Sequence, residues 1–223
     1  MRIDKQYNQF AKDFSDSVNL PLISRNIFYK TLGTDLEGKS LLDIACGDGV
    51  DLVYYKNLGA KVSGVDASEE LIGIAKSKLP ENDIRVGLLE SLPYENDSFD
   101  IVLSKYAIQT SENIEESLNE ISRVAKSGAL IIYLVTHPIR QFLEKKSKFR
   151  DYYKQEKVGS VLFKGDIVVE EPSHTFSEYF NKNFLRNIKL ISVIEGSDFS
   201  DTSAQQVSGD YYPTFMICKL IKD

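Results

Sequence analysis

Over the first 136 residues, short apolar runs alternate with amphipathic stretches of helical length. Runs beginning at Leu41, Val62, Ile84, Phe99 and Ala129 have strand length and little internal alternation, as strands buried on both faces do. Between them apolar residues recur at helical spacing. Leu71, Ile74 and Ala75 follow the N-cap residue Ser68, and Ile114, Leu118, Ile121 and Ala125 precede the stop at Gly128. Strand, helix and strand in repetition predict a parallel sheet with right-handed crossovers. Upstream, Tyr7, Phe10, Ala11 and Phe14 form one stripe of a helix that Pro21 ends, and Leu22 to Leu32 reads as a second helix stopped by Gly33. Downstream the pattern changes. Val158–Phe163 and Ile167–Glu170 flank the turn Lys164-Gly165-Asp166, as in a hairpin. Ser177 to Arg186 looks helical, and Ile188–Ile194 and Thr214–Ile221 read as two closing strands.

The first crossover holds the most specific chemistry. A run from Leu41 ends in Asp43, the small residues Ala45, Gly47 and Gly49 follow, and the next run ends in Asp66. Parallel neighbours bring both carboxylates to one edge of the sheet, where ligands bind in open α/β folds. Gly47 and Gly49 allow a tight turn and a close approach of ligand to backbone. Asp66 is placed to accept hydrogen bonds from both hydroxyls of a ribose. The dinucleotide pattern G-x-G-x-x-G is absent, with Ala45 at its first glycine. A loop that presents a carboxylate suits a cationic ligand better than a pyrophosphate.

Leu41–Gly49 resembles the first motif of the class I S-adenosylmethionine (SAM) dependent methyltransferases, L-D-x-G-C-G-x-G, with Ala45 in place of a glycine. Three further matches follow in order. Asp66 is placed like the family's ribose-binding acid, Ser91–Ser104 resembles its L-P-F-x-x-x-S-F-D-x-V block, and Ile121–Gly128 resembles its R-V-L-K-P-G turn. The resemblance covers roughly Lys39 to Thr136. It implies a Rossmann-like, doubly wound α/β fold: a seven-stranded, mostly parallel sheet with an antiparallel last strand, N-terminal helices, and a small cap insert between strands five and six. The corresponding division is 1–37 for helices over the cofactor, 38–136 for the SAM-binding core, 137–176 for the substrate cap, and 177–223 for the closing elements.

The resemblance also implies the site. SAM would be held by Asp43, Ala45, Gly47, Gly49, Asp66, Ala67 and Ser104, with Tyr7 over it and Arg25 on its carboxylate. The family's G-D-A after the third strand is here Gly87-Leu88-Leu89, so adenine falls to Leu88, Leu89, backbone groups or Glu90. Tyr106 and Gln109, after the fourth strand, stand at the same edge and would line the acceptor pocket. Methyl transfer needs a base only where the acceptor must lose a proton. The chain has two histidines, His137 directly after the fifth strand and His174 ahead of the last helix, and both are placed near the expected mouth. Each could instead be a capping residue.

Composition narrows the setting. A length of 223 residues fits one α/β domain, and a net charge of −6 argues against a general nucleic-acid coat. No run approaches a membrane span, and the N-terminus lacks the apolar stretch of a signal peptide. Cys46 and Cys218 read as buried free thiols, which points to the cytoplasm. No metal-ligand spacing is present. Between Ile139 and Lys164, eight Lys or Arg face three Asp or Glu, a basic stretch that could draw an anionic acceptor. The expectation is methyl transfer from SAM to an O, N or C atom of a small molecule by a monomer or homodimer. A tRNA methyltransferase of the same fold and a non-catalytic SAM-binding module are the alternatives.

Overall fold

The computed structural model describes residues 3–17, 22–145, 151–162, 167–198 and 212–223. Pro21, the hairpin turn 163–166 and the Phe14 side chain lie outside them. In chain order the elements are α1 (Ile3–Gln9), α2 (Ala11–Ser17), α3 (Ile23–Leu32), β1 (Ser40–Ile44), α4 (Val50–Asn57), β2 (Lys61–Asp66), α5 (Glu69–Lys78), β3 (Asp83–Val86), β4 (Phe99–Lys105), α6 (Ile114–Val124) and β5 (Ala125–Thr136). After β5 come the strands β6 (Lys157–Leu162), β7 (Ile167–Pro172), β8 (Ile188–Gly196) and β9 (Phe215–Lys222). Seven strands form one sheet in the order β3-β2-β1-β4-β5-β9-β8. β1 to β5 run parallel, and β9 is antiparallel to both its neighbours. β6 and β7 form a separate antiparallel pair.

Alternate residues of each central strand feed two apolar layers. Leu41 and Leu103 pack with Phe28, Leu52, Tyr55 and Ile72 from α3, α4 and α5. Leu42, Ile44 and Val102 face the opposite way, onto Leu118, Ile121 and Val124 of α6. The motif Ser91–Ser104 is pinned from α6: Arg123 donates to the carbonyls of Leu92 (3.0 Å) and Tyr94 (2.8 Å) and pairs with Glu120.

Three local expectations shift. The N-terminal stripe is broken at Phe10, whose N–H closes a turn on the Tyr7 carbonyl, so two short helices replace one. α6 ends at Val124 rather than at Gly128. Ala125 already pairs with Phe99, and Gly128 (φ 78°) sits in the bulge before Leu130 resumes register with Ile101. The segment expected to be helical from Ser177 forms two 3₁₀ turns, Phe176–Phe180 and Phe184–Asn187. Asn181 is extended between them (ψ 150°), and its side chain accepts from Phe184 N–H at 2.9 Å.

Candidate active site

A cavity of about 460 Å³ lies at the C-terminal ends of β1, β2 and β4. Of the residues expected at the cofactor, Tyr7, Arg25, Ala45, Gly47, Asp66, Ala67, Leu88, Leu89 and Glu90 line it, and so do Tyr106 and Gln109. Asp43, Gly49, Ser104, His137 and His174 are not among its lining residues.

The loop after β1 is left-handed at three alternate positions, Ala45 (φ 58°), Gly47 (φ 55°) and Gly49 (φ 78°). Alanine at the first of these carries backbone strain that glycine would avoid, and such strain persists where the surroundings hold it. Gly49 is needed for packing instead: a Cβ there would stand 2.9 Å from the Cβ of Ala75 in α5. Asp66 accepts from Gly47 N–H and Ser68 N–H, both at 2.9 Å, which ties the loop to the end of β2. A carboxylate has about four lone-pair sites, so two such bonds leave room for ribose hydroxyls. Burial raises the Asp66 pKa despite these donors.

Beside the loop, Asp51 of α4 anchors a buried ion cluster. Arg25 donates to it at 3.0 Å, and Lys105 and the Tyr29 hydroxyl are bonded to it as well. Burial would raise the Asp51 pKa, but Lys105 and Arg25 hold it below the usual carboxylate value. Burial lowers that of Lys105. Asp43, 2 % exposed, is pushed up to about 8 by burial and the nearby Asp51, against Lys105 and Arg25. It stands behind the loop and is not among the residues that line the cavity. Ser104 is likewise buried inside the sheet.

At the exit of β4, Tyr106 is left-handed (φ 52°), and its hydroxyl lies 2.8 Å from both Ser24 Oγ and Asp198 Oδ2. Ser24 N–H donates to the other Asp198 oxygen at 2.7 Å. Three distant segments are thus joined at one cavity wall. Glu90 also faces the cavity and accepts from the Ser111 hydroxyl at 2.5 Å.

Both histidines have other partners. His137 caps the helical turn Pro138–Arg140: Nδ1 accepts from Ile139 N–H at 3.1 Å, and Nε2 donates to Glu195 at 2.6 Å. Burial lowers its pKa, with Glu195 opposing. His174 is buried, with Nδ1 3.2 Å from Glu178 in a capping box with Thr175. His137 is thus an N-cap, whereas beside His174 the cap is Thr175, and His174 Nε2 has no hydrogen-bond partner among the described residues. Lys105, at the end of the fourth strand, lines the cavity too, and Arg140, Glu171 and Asp198 line it without having been expected there. Only Glu171 carried a legible signal, since it shares the inward face of an alternating strand with Val169.

Residues 42–133 match the protein family described as methyltransferase domain. A demethylmenaquinone methyltransferase of Lactococcus lactis is 32 % identical over 168 residues, which cover 69 % of this chain and 65 % of that protein. A demethylmenaquinone methyltransferase of Chlorobaculum tepidum is 31 % identical over 58 % of this chain and 55 % of its own length. The chain thus spans between half and two thirds of these curated relatives. Among solved structures, a SAM-dependent methyltransferase from Mesorhizobium loti superposes with a TM-score of 0.67 at 18 % identity, covering 86 % of this chain and 95 % of the other. With that segment matched and this sheet built around it, residues 42–133 form a methyltransferase domain on a sheet that shares the fold of SAM-dependent methyltransferases.

Proposed function

We propose that this protein transfers a methyl group from SAM to a small-molecule acceptor. The observation that carries the reading is the cavity where the left-handed loop, the half-buried Asp66 and the Tyr106 wall meet. The residues present fit the cofactor. Asp66 has acceptor capacity for a ribose, and Ala67, Leu88 and Leu89 offer an apolar wall for a base, with Glu90 at its border. Tyr7 of α1 covers the loop side, and Arg25 is placed to turn its guanidinium from Asp51 to a carboxylate.

The cofactor supplies an electrophilic methyl group; the chain supplies position and dryness. α1 and α2 are held over the site by Asn8 on Ser68 (2.6 Å) and Ser15 on Asp48 (2.7 Å). Tyr106 and Gln109 orient the acceptor, and no histidine takes part. The names of the two demethylmenaquinone relatives give those proteins a small-molecule acceptor, which supports the same class here. Neither an anionic acceptor nor tRNA is favoured, because described cations of the cap region are paired: Arg140 with Glu144, Lys154 with Glu156, and Lys157 with Glu112. Among the described residues no helix is long and apolar enough to cross a membrane.

Incubation of the protein with methyl-labelled SAM and a fractionated cell extract tests the reading. Label is expected in the small-molecule fraction, and label confined to RNA or protein would contradict it.

A further inference from the structure

The cap sets a carboxylate on the wall of the cavity. In β7, Val169 and Glu171 are 1 % and 2 % exposed, while the preceding Val168 is 56 % exposed. Gln141 Nε2 donates to Glu171 at 3.2 Å. The adjacent residue is fixed through its backbone. Gln6 of α1 donates to the Glu170 carbonyl at 3.1 Å and accepts from the Glu170 N–H at 2.8 Å. This pair of hydrogen bonds clamps α1 to β7, so the next residue of each, Tyr7 and Glu171, line one cavity. The Tyr7 hydroxyl is pushed up by burial and then by the charges of Glu171 and Asp66, so it feels the cap carboxylate and the ribose-side carboxylate together.

β7 also packs against the turn Ile108–Thr110, which carries Gln109. Gln109 is 3 % exposed and lines the cavity, yet its Oε1 has no hydrogen-bond partner among the described residues. A buried amide left in that state is costly and calls for a ligand group to complete it. Glu171 and Gln109 Oε1 are both hydrogen-bond acceptors. A ligand group that meets Gln109 Oε1 beside Glu171 must bring N–H or O–H donors.

We infer that Glu171 and Gln109 form the acceptor pole of the site, and that the methyl acceptor is a protic nucleophile, an amine or a hydroxyl, whose proton Glu171 receives. This rests on the methyl-transfer function proposed above. The acceptor's proton passes to the Glu171 carboxylate as the nitrogen or oxygen lone pair bonds the methyl carbon. The carbon–sulfur pair returns to sulfur, leaving a neutral thioether. Gln109 orients the acceptor and transfers nothing.

Calorimetry with two probes tests this without the acceptor in hand. One is S-adenosylhomocysteine; the other is sinefungin, in which an amine replaces the methyl-bearing sulfonium. Glu171→Gln is expected to weaken sinefungin by about tenfold or more, since a buried charge interaction is lost, while the homocysteine product changes by less than about threefold. Glu171→Asp should keep most of the sinefungin affinity. An unchanged ratio of the two affinities in Glu171→Gln would overturn the inference. Should that variant fail to bind either probe, Gln109→Leu replaces it. It should fold at least as stably as the parent and lose sinefungin affinity several-fold with product binding intact, and an unchanged sinefungin affinity there also overturns the inference. Loss of both probes in the unaltered protein would instead contradict the methyl-transfer function on which the inference rests.

Discussion

The two ends of the sheet carry carboxylates in opposite states. Where the strands begin, Asp100 accepts from the Ser40 hydroxyl at 2.6 Å and the Ser40 N–H at 2.9 Å, and Lys126 pairs with its other oxygen at 2.9 Å. The Ser40 hydroxyl, with Lys126 contributing, brings Asp100 down to about 2. Where the strands end, Asp43 is pushed up to about 8 and Asp66 is also raised, both by burial. Left-handed Ala45 and Tyr106 and the orphan Gln109 lie at that same end. One end satisfies its charges and stabilises the fold. The other keeps desolvated acids and strained backbone in place, as binding sites do.

The largest effect should come from the cluster that holds the strained end together. Asp51→Ala would leave Lys105 and Arg25 buried without their shared partner, at a cost of about 3–5 kcal/mol in chemical unfolding. A loss below about 1 kcal/mol would mean that the cluster is solvated. Next, Asp66→Ala should weaken S-adenosylhomocysteine by about 1.5–3 kcal/mol, as expected for charged hydrogen bonds, and equal affinity would remove Asp66 from the ribose.

The contrast in acidity has a sign that can be read by titrating stability. The native state holds the Asp43 proton more tightly than the unfolded chain, whose ordinary Asp value is 3.8. Stability from this residue therefore falls as pH rises from about 4 to about 8. Asp100 works the other way: its contribution is present above about 4 and is lost as pH falls toward 2. Asp43→Asn should gain stability relative to the parent with rising pH, and Asp100→Asn should lose its deficit in acid. Parallel pH profiles for both variants would contradict the contrast. The smallest effect is expected at the histidines. His137→Ala should cost about 1 kcal/mol of stability as a lost cap. Methylation by either His137→Ala or His174→Ala should stay within about threefold, where loss of a positioned base would cost about 10²–10⁴.

The strand ends were legible because both the turn chemistry and the acid at each strand end are local in sequence. Leu41–Gly49 and Asp66 lie within one crossover, so spacing alone placed Gly47 and Asp66 at a common edge. Gly49 shared the motif, and a Cβ there would meet Ala75, a contact that no local pattern reveals. His137 carried the opposite lesson. Histidine followed by proline marks a helix start, with His137 as N-cap and Pro138 at the first helical position; the cap takes Nδ1, and Glu195 of β8 takes Nε2. Glu171 could be read from its period-two partnership with Val169, though only once β7 was known to bury one face. Asp198 could not be read at all, because Ser24, Tyr106 and Asp198 meet only through the tertiary fold.

The central claim is that the end of the sheet with raised carboxylates is a SAM site. Calorimetric titration of the purified protein with S-adenosylhomocysteine and, separately, with NAD tests it most directly. Micromolar binding of S-adenosylhomocysteine with no heat from NAD is the predicted result. Preferential binding of NAD, or no binding of S-adenosylhomocysteine by folded protein, would contradict the account.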